Sequence, residues 1–392
     1  MTADRTYDLV LFGATGFTGG LTAEYLARHA PAGTRWALAG RDQSRLQALR
    51  DRLTAIAPSC AGLPLLHADV TAPRTLEEIA AVTRVVATTV GPYIHHGEPL
   101  VAACAAAGTD YVDLTGEPEF ADLMYVRYHA QAMASGARIV HACGFDSIPH
   151  DLGAYFTVQQ LPEDVPIRIE GFVRAKGSAS GGTMHSFVTA LSRGRQTVQA
   201  ARARQRVEPQ PSGRKIRVHR GLSRFAPASG AWALPMPTID PQIVTRSASV
   251  LDRYGPDFTY GHFAAVEHLT TALGAVSGVA GVLVLAQIPP ARNLLLKARR
   301  PGDGPSAEQR ARSWFSVRFV GEGGGRRVVT EVAGGDPGYG ETAKMLAESA
   351  LCLAHDSLPA TAGQLTTAAA MGDPLIERLR KAGITFRVLK ST

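Results

Sequence analysis

The residues Gly13 to Gly19 (GATGFTG) close one short apolar run and open an amphipathic one, a placement suited to holding a diphosphate. Gly13 permits a tight turn, Gly16 lets the backbone approach the pyrophosphate, and Gly19 lets the next helix lie close to the sheet. The backbone of Ala14, Thr15, Phe17 and Thr18, with the positive end of that helix, then faces the anion. The spacing GxxGxxG is one residue longer than the GxGxxG fingerprint, so its position at the head of a strand and helix series carries the assignment. A second signal selects the nucleotide. An NAD site usually ends its second strand in an acid that binds the ribose hydroxyls, whereas here Ala39 and Gly40 are followed by Arg41. A guanidinium pairs with a 2′-phosphate and Gly40 leaves room for it, which predicts NADP. Arg45 stands one helical turn further on and can assist, while Asp42 reads as a helix-entry residue.

Further along, Asp69 is placed to border the adenine, and Thr88, Thr89, Val90, Gly91 and Pro92 to lie beside the nicotinamide ribose. Tyr93, His95 and His96 follow at a strand's carboxyl end, where substrates gather. Tyr93 is read either as a donor to an enolate oxygen or as a packed aromatic lid. Asp146 and Ser147 either cap the next helix or point into the cleft, and His150 is either an acid or a packing residue. No Ser/His/Asp spacing, P-loop or metal-ligand cluster stands out, which disfavours hydrolysis, phosphoryl transfer and a bound metal.

These groups need a frame. Six short apolar runs bounded by turn residues are Tyr7 to Gly13, Arg35 to Gly40, Pro64 to Val70, Arg84 to Val90, Asp110 to Gly116 and Arg138 to Gly144. Amphipathic stretches such as Leu21 to His29, Ser44 to Ala57 and Pro99 to Ala107 lie between them. The alternation predicts an α/β fold, a Rossmann doubly wound parallel sheet over residues 1–148. A second, α+β substrate domain with a mixed or antiparallel sheet is expected over 149–335, its last two strands forming a hairpin through Glu322 to Gly325. Residues 336–392 read as C-terminal helices returning to the first domain, beginning with Asp336 as cap and Pro337 in the first turn.

Composition sets the boundaries. A chain of 392 residues, 45% hydrophobic, is long enough for two packed domains. Charged Asp4 and Arg5 lead straight into a strand-like run, with no apolar signal segment, so a cytoplasmic protein is expected. Cys60, Cys104, Cys143 and Cys352 are scattered and read as buried thiols. The net charge of +7 is concentrated, because the segment 193–224 carries +9 and the rest of the chain −2. A local block of that kind favours a specific acidic partner over nucleic acid, or else is a solvated Arg-rich face. Residues 269–288 carry no charge and precede Arg292, Lys297, Arg299 and Arg300. They read as a buried or tunnel-lining helix, a membrane-surface contact over 269–300 that would make the protein peripheral, or a span.

The stretches DLVLFGATGFTG, ALAGR, TTVGPY, AGTDYVDLTGE, CGFDSIPHDLG, SGGT at Ser180 to Thr183 and LTTAAAMGDPLIERL resemble the saccharopine dehydrogenase-like oxidoreductases, in order and across nearly the whole chain. Within that family they are most similar to the trans-acting enoyl reductases of phthiocerol and phenolphthiocerol lipid biosynthesis. The resemblance implies hydride transfer from NADPH to the β-carbon of an α,β-unsaturated polyketide or lipid acyl thioester, followed by protonation. It implies an acyl thioester substrate; the basic segment 193–224 then fits docking of an acidic acyl carrier domain that bears it, and a homodimer is a further expectation. Two other readings remain: an NADP-dependent reductase of another C=C, C=N or C=O bond, and a membrane-associated protein that binds NADP without catalysis.

Overall fold

The computed structural model describes residues 5–177, 192–209, 211–219, 230–268 and 304–392, together with residues 188–189, 221, 224–226, 270–271, 274 and 290. The SGGT motif at 180–183, Arg220, the side chain of Arg224 and most of the uncharged 269–288 stretch lie outside the described residues. No described helix is long and apolar enough to cross a membrane.

The first sheet is wholly parallel. Its strands are β1 (Tyr7–Phe12), β2 (Trp36–Gly40), β3 (Leu65–His67), β4 (Thr83–Thr88), β5 (Asp110–Asp113), β6 (Arg138–Val140) and β14 (Gly363–Leu365), in the order β14-β6-β5-β4-β1-β2-β3. Parallel strands covered by helices on both faces are apolar on both faces. Accordingly Leu9 and Leu11 of β1 enter one core cluster while Val10 and Phe12 enter the other. The expected β3 run to Val70 ends at His67, because Asp69 turns the chain by accepting the Thr71 amide at 2.9 Å. The seventh strand, β14, comes from the C-terminal region and is too short to show a period.

The second sheet comprises β7 (Ile167–Lys176), β8 (Lys215–His219), β9 (Arg224–Ala226), β10 (Ala231–Pro235), β11 (Asp257–Val266), β12 (Trp314–Gly323), β13 (Arg326–Gly334) and β15 (Thr385–Ser391). It is mixed: β11 runs parallel to β7 and β8, and the other pairs are antiparallel. On β12, Phe315, Val317 and Phe319 point inward, the period-2 pattern of a half-buried strand. Gly324 and Gly325, at φ 57° and 76°, make the two-residue turn into β13 that needs two left-handed residues.

The C-terminal region serves both sheets. Helix Gly340–His355 packs on helix Phe17–His29 and on β4 and β5, whereas β15 pairs with β13. That helix starts at Gly340, not at Asp336 as the sequence suggested. Pro337 to Tyr339 form a turn, and the Asp336 carboxylate accepts the Gly340 amide at 3.0 Å from outside the helix.

Where the two sheets meet, the buried carboxylate of Asp151 accepts Ser247 Oγ at 2.5 Å, Thr367 Oγ1 at 2.7 Å and the Ala368 amide at 2.8 Å. It thereby joins helices Ile148–Val158, Asp240–Val250 and Thr367–Ala370. Replacing Asp151 by Ala strands three buried donors, and urea unfolding is expected to show a loss of about 3 kcal/mol or more. A loss below about 1 kcal/mol would mean that this junction contributes little.

Candidate functional site

The carboxyl ends of β1, β2, β4, β5 and β6 form one edge, and the residues read from the sequence collect there. Gly13 has φ 84°, and a Cβ on it would lie 2.6 Å from Val90 Cγ2, so only glycine fits beneath the β4 loop. Gly19 is packed as closely: a Cβ there would stand 2.2 Å from the Gly13 carbonyl oxygen. Gly16 differs, since the nearest atom to its Cβ position is 3.4 Å away and the space above it is open. Helix Phe17–His29 begins at Gly16 with no side-chain cap. Its first-turn amides have no intrahelical acceptor, so they offer the donors a diphosphate requires. Thr18 is half-buried, its carbonyl accepting the Thr22 hydroxyl at 2.9 Å, and Ala14 is buried under the turn.

Phe17 opens the helix and packs through its ring. Its ring meets Tyr339 edge to face at 4.7 Å, with the Arg310 guanidinium 5.6 Å from its centroid. A cavity of about 530 Å³ touches Ala14, Thr15, Gly16 and Phe17 and is lined also by Arg45, Arg52 and Arg310. Arg41 is exposed at the end of β2, and Asp42 caps the next helix by accepting the Arg45 amide at 3.0 Å. The Ala68 amide bonds the Gly40 carbonyl, which brings Asp69 beside Arg41. Hydrogen bonds from Thr71 hold Asp69 below its ordinary range, with a smaller contribution from the Arg41 charge. On the other side, Thr89 Oγ1 donates to the Gly13 carbonyl and Thr88 Oγ1 accepts the Val90 amide, which set the loop through Gly91 and Pro92 beside the turn.

Tyr93 does not meet the requirements of a proton donor. It is 4% exposed, its hydroxyl donates to the Thr88 carbonyl at 3.1 Å, and it accepts the Leu114 amide at 3.1 Å. The Tyr93 and Ile94 amides both donate to the Glu117 carboxylate, at 3.0 and 2.8 Å. With its proton engaged and burial raising its pKa well above 10, Tyr93 braces the β4 loop against the β5 loop. His95 opens instead on a cavity of about 250 Å³ with Ile94, Phe120 and Arg193.

Asp146 precedes the N-cap residue Ser147 and sets its carboxyl against the β5 loop. A Cβ on Gly116, in the β5 loop, would lie 3.4 Å from its Oδ2, and no described residue donates a hydrogen bond to its carboxyl. Burial, reinforced by the negative charge of Asp240, pushes this carboxyl up to about 7. Neighbouring backbone is locked: Asp113 Oδ1 accepts the Thr115 and Ala142 amides, its Oδ2 meets His141 Nδ1 at 2.7 Å, and Ala142 is held at φ 60°. Ser147 precedes helix Ile148–Val158 without capping it through its side chain.

His150 is 2% exposed and lies behind Asp146, with Nδ1 2.9 Å from Asp240 Oδ1. His262 Nε2 approaches Asp240 Oδ2 at 3.4 Å from β11. Sequence reasoning missed Asp240 and His262, because they lie on two elements far along the chain from His150 and share no spacing with it. The available signal was Tyr260 and His262 two apart on a strand, hence on one face.

Of the basic segment, Arg193 pairs with Glu119, Arg204 with Asp122 and Glu208, and Arg217 with Asp257, while Arg214 binds the Leu251 and Gly255 carbonyls. Arg195, Arg202 and Arg206 point outward from helix Gly194–Val207.

The profile of the Saccharopine dehydrogenase NADP binding domain family matches residues 9–140. A Mycobacterium tuberculosis protein provisionally named a trans-acting enoyl reductase is 41% identical over 98% of both chains. The trans-acting enoyl reductase of Mycobacterium ulcerans is 37% identical over 97% of both. Apo saccharopine dehydrogenase (L-Glu forming) of Saccharomyces cerevisiae shares the fold, with a TM-score of 0.50, 13% identity and coverage of 97% of this chain and 99% of that one. The chain belongs to the trans-acting enoyl reductase family, and it is an NADP-dependent oxidoreductase whose glycine turn and Arg41 lie in a saccharopine dehydrogenase-type NADP-binding domain.

Proposed function

We propose that the chain reduces the carbon–carbon double bond of an α,β-unsaturated polyketide or lipid acyl thioester, with Asp146 as the proton donor. NADPH, when bound, supplies hydride to the β-carbon. The amides at the start of helix Phe17–His29 hold its diphosphate, Arg41 its 2′-phosphate, and the Thr88 to Pro92 loop flanks its nicotinamide half. Asp146, one strand beyond the β5 loop, then delivers a proton to the α-carbon of the resulting enolate. The observation that carries this reading is a half-buried carboxyl, free of hydrogen bonds from described residues, that keeps its proton near neutrality at the nicotinamide end of the edge.

A partner reading goes with it. Arg195, Arg202 and Arg206 are seven and four residues apart on an exposed helix, which stacks them in one stripe beside half-exposed Val198. Such a row matches an acidic helical face on a carrier domain better than a dispersed charge would. A membrane-surface role for 269–300 and a homodimer remain secondary to this reading.

Three outcomes are expected. Arg41→Ala should weaken NADPH binding by about 1.5 to 3 kcal/mol in a fluorescence titration while leaving NADH unchanged; equal losses would remove Arg41 from the phosphate site. Asp146 is raised above its unfolded value, so its donor form is present at low pH and lost as pH rises through about 7. With NADPH and an enoyl thioester, kcat/KM should therefore decline above that pH, and Asp146→Asn should be slower by about 10²- to 10⁴-fold. A flat profile with an active Asn variant would exclude Asp146 as donor. Reversing Arg195, Arg202 and Arg206 to Glu should lower kcat/KM for a carrier-bound enoyl chain by about tenfold or more, yet spare a small free thioester. Equal effects on both substrates would discard the docking stripe.

A further inference from the structure

The segment that leads into β12 turns back onto the glycine turn of the first sheet. Gly304 lies against the ring of Phe17, the first residue of the helix after Gly16: a Cβ on Gly304 would stand 2.3 Å from Phe17 Cζ. Two residues later Ser306 and Gln309 cap one another, the Gln309 amide donating to Ser306 Oγ at 3.2 Å and the Ser306 amide to Gln309 Oε1 at 3.0 Å. This capping box opens the short helix Ala307–Ala311 and sets the backbone from which Arg310 extends. Arg310 Nη1 donates to the Pro305 carbonyl at 2.9 Å, and its guanidinium carbon lies 5.6 Å from the centre of the Phe17 ring. Gly304, Arg310 and Tyr339 therefore all meet one ring at the start of the helix.

Charge decides what this arrangement can hold. Arg310 shares the wall of the cavity of about 530 Å³ with Thr15 and Gly16 of the turn, and with Arg45 and Arg52 of helix Gln43–Ile56. Glu24, the carboxylate on that wall, is already met by Arg52 at 3.3 Å and by Arg28 at 3.8 Å, and Arg45 Nε lies 3.7 Å from Asp42. Among the described residues no carboxylate pairs with Arg310, and its Nε and Nη2 hydrogens find no acceptor. A half-buried guanidinium with most of its fork free is matched by a phosphate, which accepts paired N–H groups and supplies the missing negative charge. The first-turn amides of helix Phe17–His29 open on the same cavity and suit the same acceptor.

We infer that Arg310 is a cofactor-binding residue: reaching from the approach to β12, it pairs with the diphosphate of NADPH that the helix amides hold, so that the cofactor ties the second sheet to the glycine turn. Phe17 sets the choice of phosphate. Its ring carries Arg310 and its own backbone opens the helix, so the guanidinium stands beside the helix end where the diphosphate sits. Arg41 stands instead at the end of β2, where the 2′-phosphate sits.

Arg310 can serve in this way only if the glycine turn seats NADPH, and the measurements keep the two apart. Full-length wild type, Arg310→Met and Arg310→Lys are titrated with NADPH and with NADH, following nicotinamide fluorescence. Both dinucleotides carry the diphosphate, so Arg310→Met should weaken both by about 10- to 100-fold, and Arg310→Lys should recover part of the loss. Methionine keeps an apolar stem against Phe17, so a packing role would leave both affinities unchanged. Wild-type affinity should also fall more steeply with salt than that of Arg310→Met. Unchanged affinities for both would overturn the inference, and so would a loss for NADPH alone, which would move Arg310 to the 2′-phosphate. Hydrogen exchange gives a reading with no substitution: NADPH should slow exchange across residues 304–312 of the wild type, and equal exchange with and without it would overturn the inference. Gly16→Val, at a position whose φ of −75° admits any residue, fills the open space above the turn and should abolish binding of both dinucleotides. Binding that survives Gly16→Val but falls in Arg310→Met would remove the turn and leave Arg310 as a phosphate ligand, whereas the reverse pattern would remove Arg310 and leave the turn.

Discussion

The Asp113 carboxylate at the end of β5 is the constraint from which the carboxyl edge of the first sheet is built. Its two oxygens hold the Thr115 and Ala142 amides, the Tyr111 hydroxyl and the His141 ring, all buried. One side chain thus fastens the β5 loop, which carries Gly116 and Glu117, to the β6 loop, which carries Asp146. Glu117 extends the brace by accepting the Tyr93 and Ile94 amides. Three neighbouring loops are tied by carboxylate to backbone bonds, the kind whose partners are costly to leave unpaired in a buried site. Ala142 is held in a left-handed conformation that alanine rarely adopts, and the Asp113 bond to its own amide helps keep it there.

That rigidity explains a division of labour between the two halves. The parallel sheet supplies the glycine turn of the NADP-binding domain and the loops beside it, in backbone geometry set by glycine packing. The mixed sheet and its helices supply Asp240 and His262, buried together with His150. The C-terminal region links the halves: helix Gly340–His355 covers the first sheet, Thr342 accepts the Phe145 amide beside Asp146, and β15 completes the second sheet. The setting of Asp146 therefore depends on contacts drawn from the whole chain.

The turn from Gly13 to Gly19, the six parallel strands and the place of Arg41 at the end of β2 were legible because they are local: a glycine spacing, short apolar runs and one residue at a strand end. The setting of Asp146 could not be read from sequence, since a residue before a helix can cap it or leave it, and its packing against Gly116 of the β5 loop is tertiary. Tyr93 misled for the same reason. Its place in the loop was right, but its hydroxyl is taken by the Thr88 carbonyl and the Leu114 amide, contacts that no spacing rule foretells. The basic segment looked like one patch, yet several of its arginines are paired with acids from helix Pro118–Ser135 and neighbouring elements. Asp240 and His262 were invisible because tertiary packing alone brings them to His150.

A structure of the protein with NADP⁺ bound tests the account most directly. It should show the diphosphate on the amides that follow Gly16, the 2′-phosphate against the Arg41 guanidinium, and the nicotinamide ring between the Thr88 to Pro92 loop and Asp146. A ring turned away from Asp146, or a dinucleotide seated off the glycine turn, would contradict it.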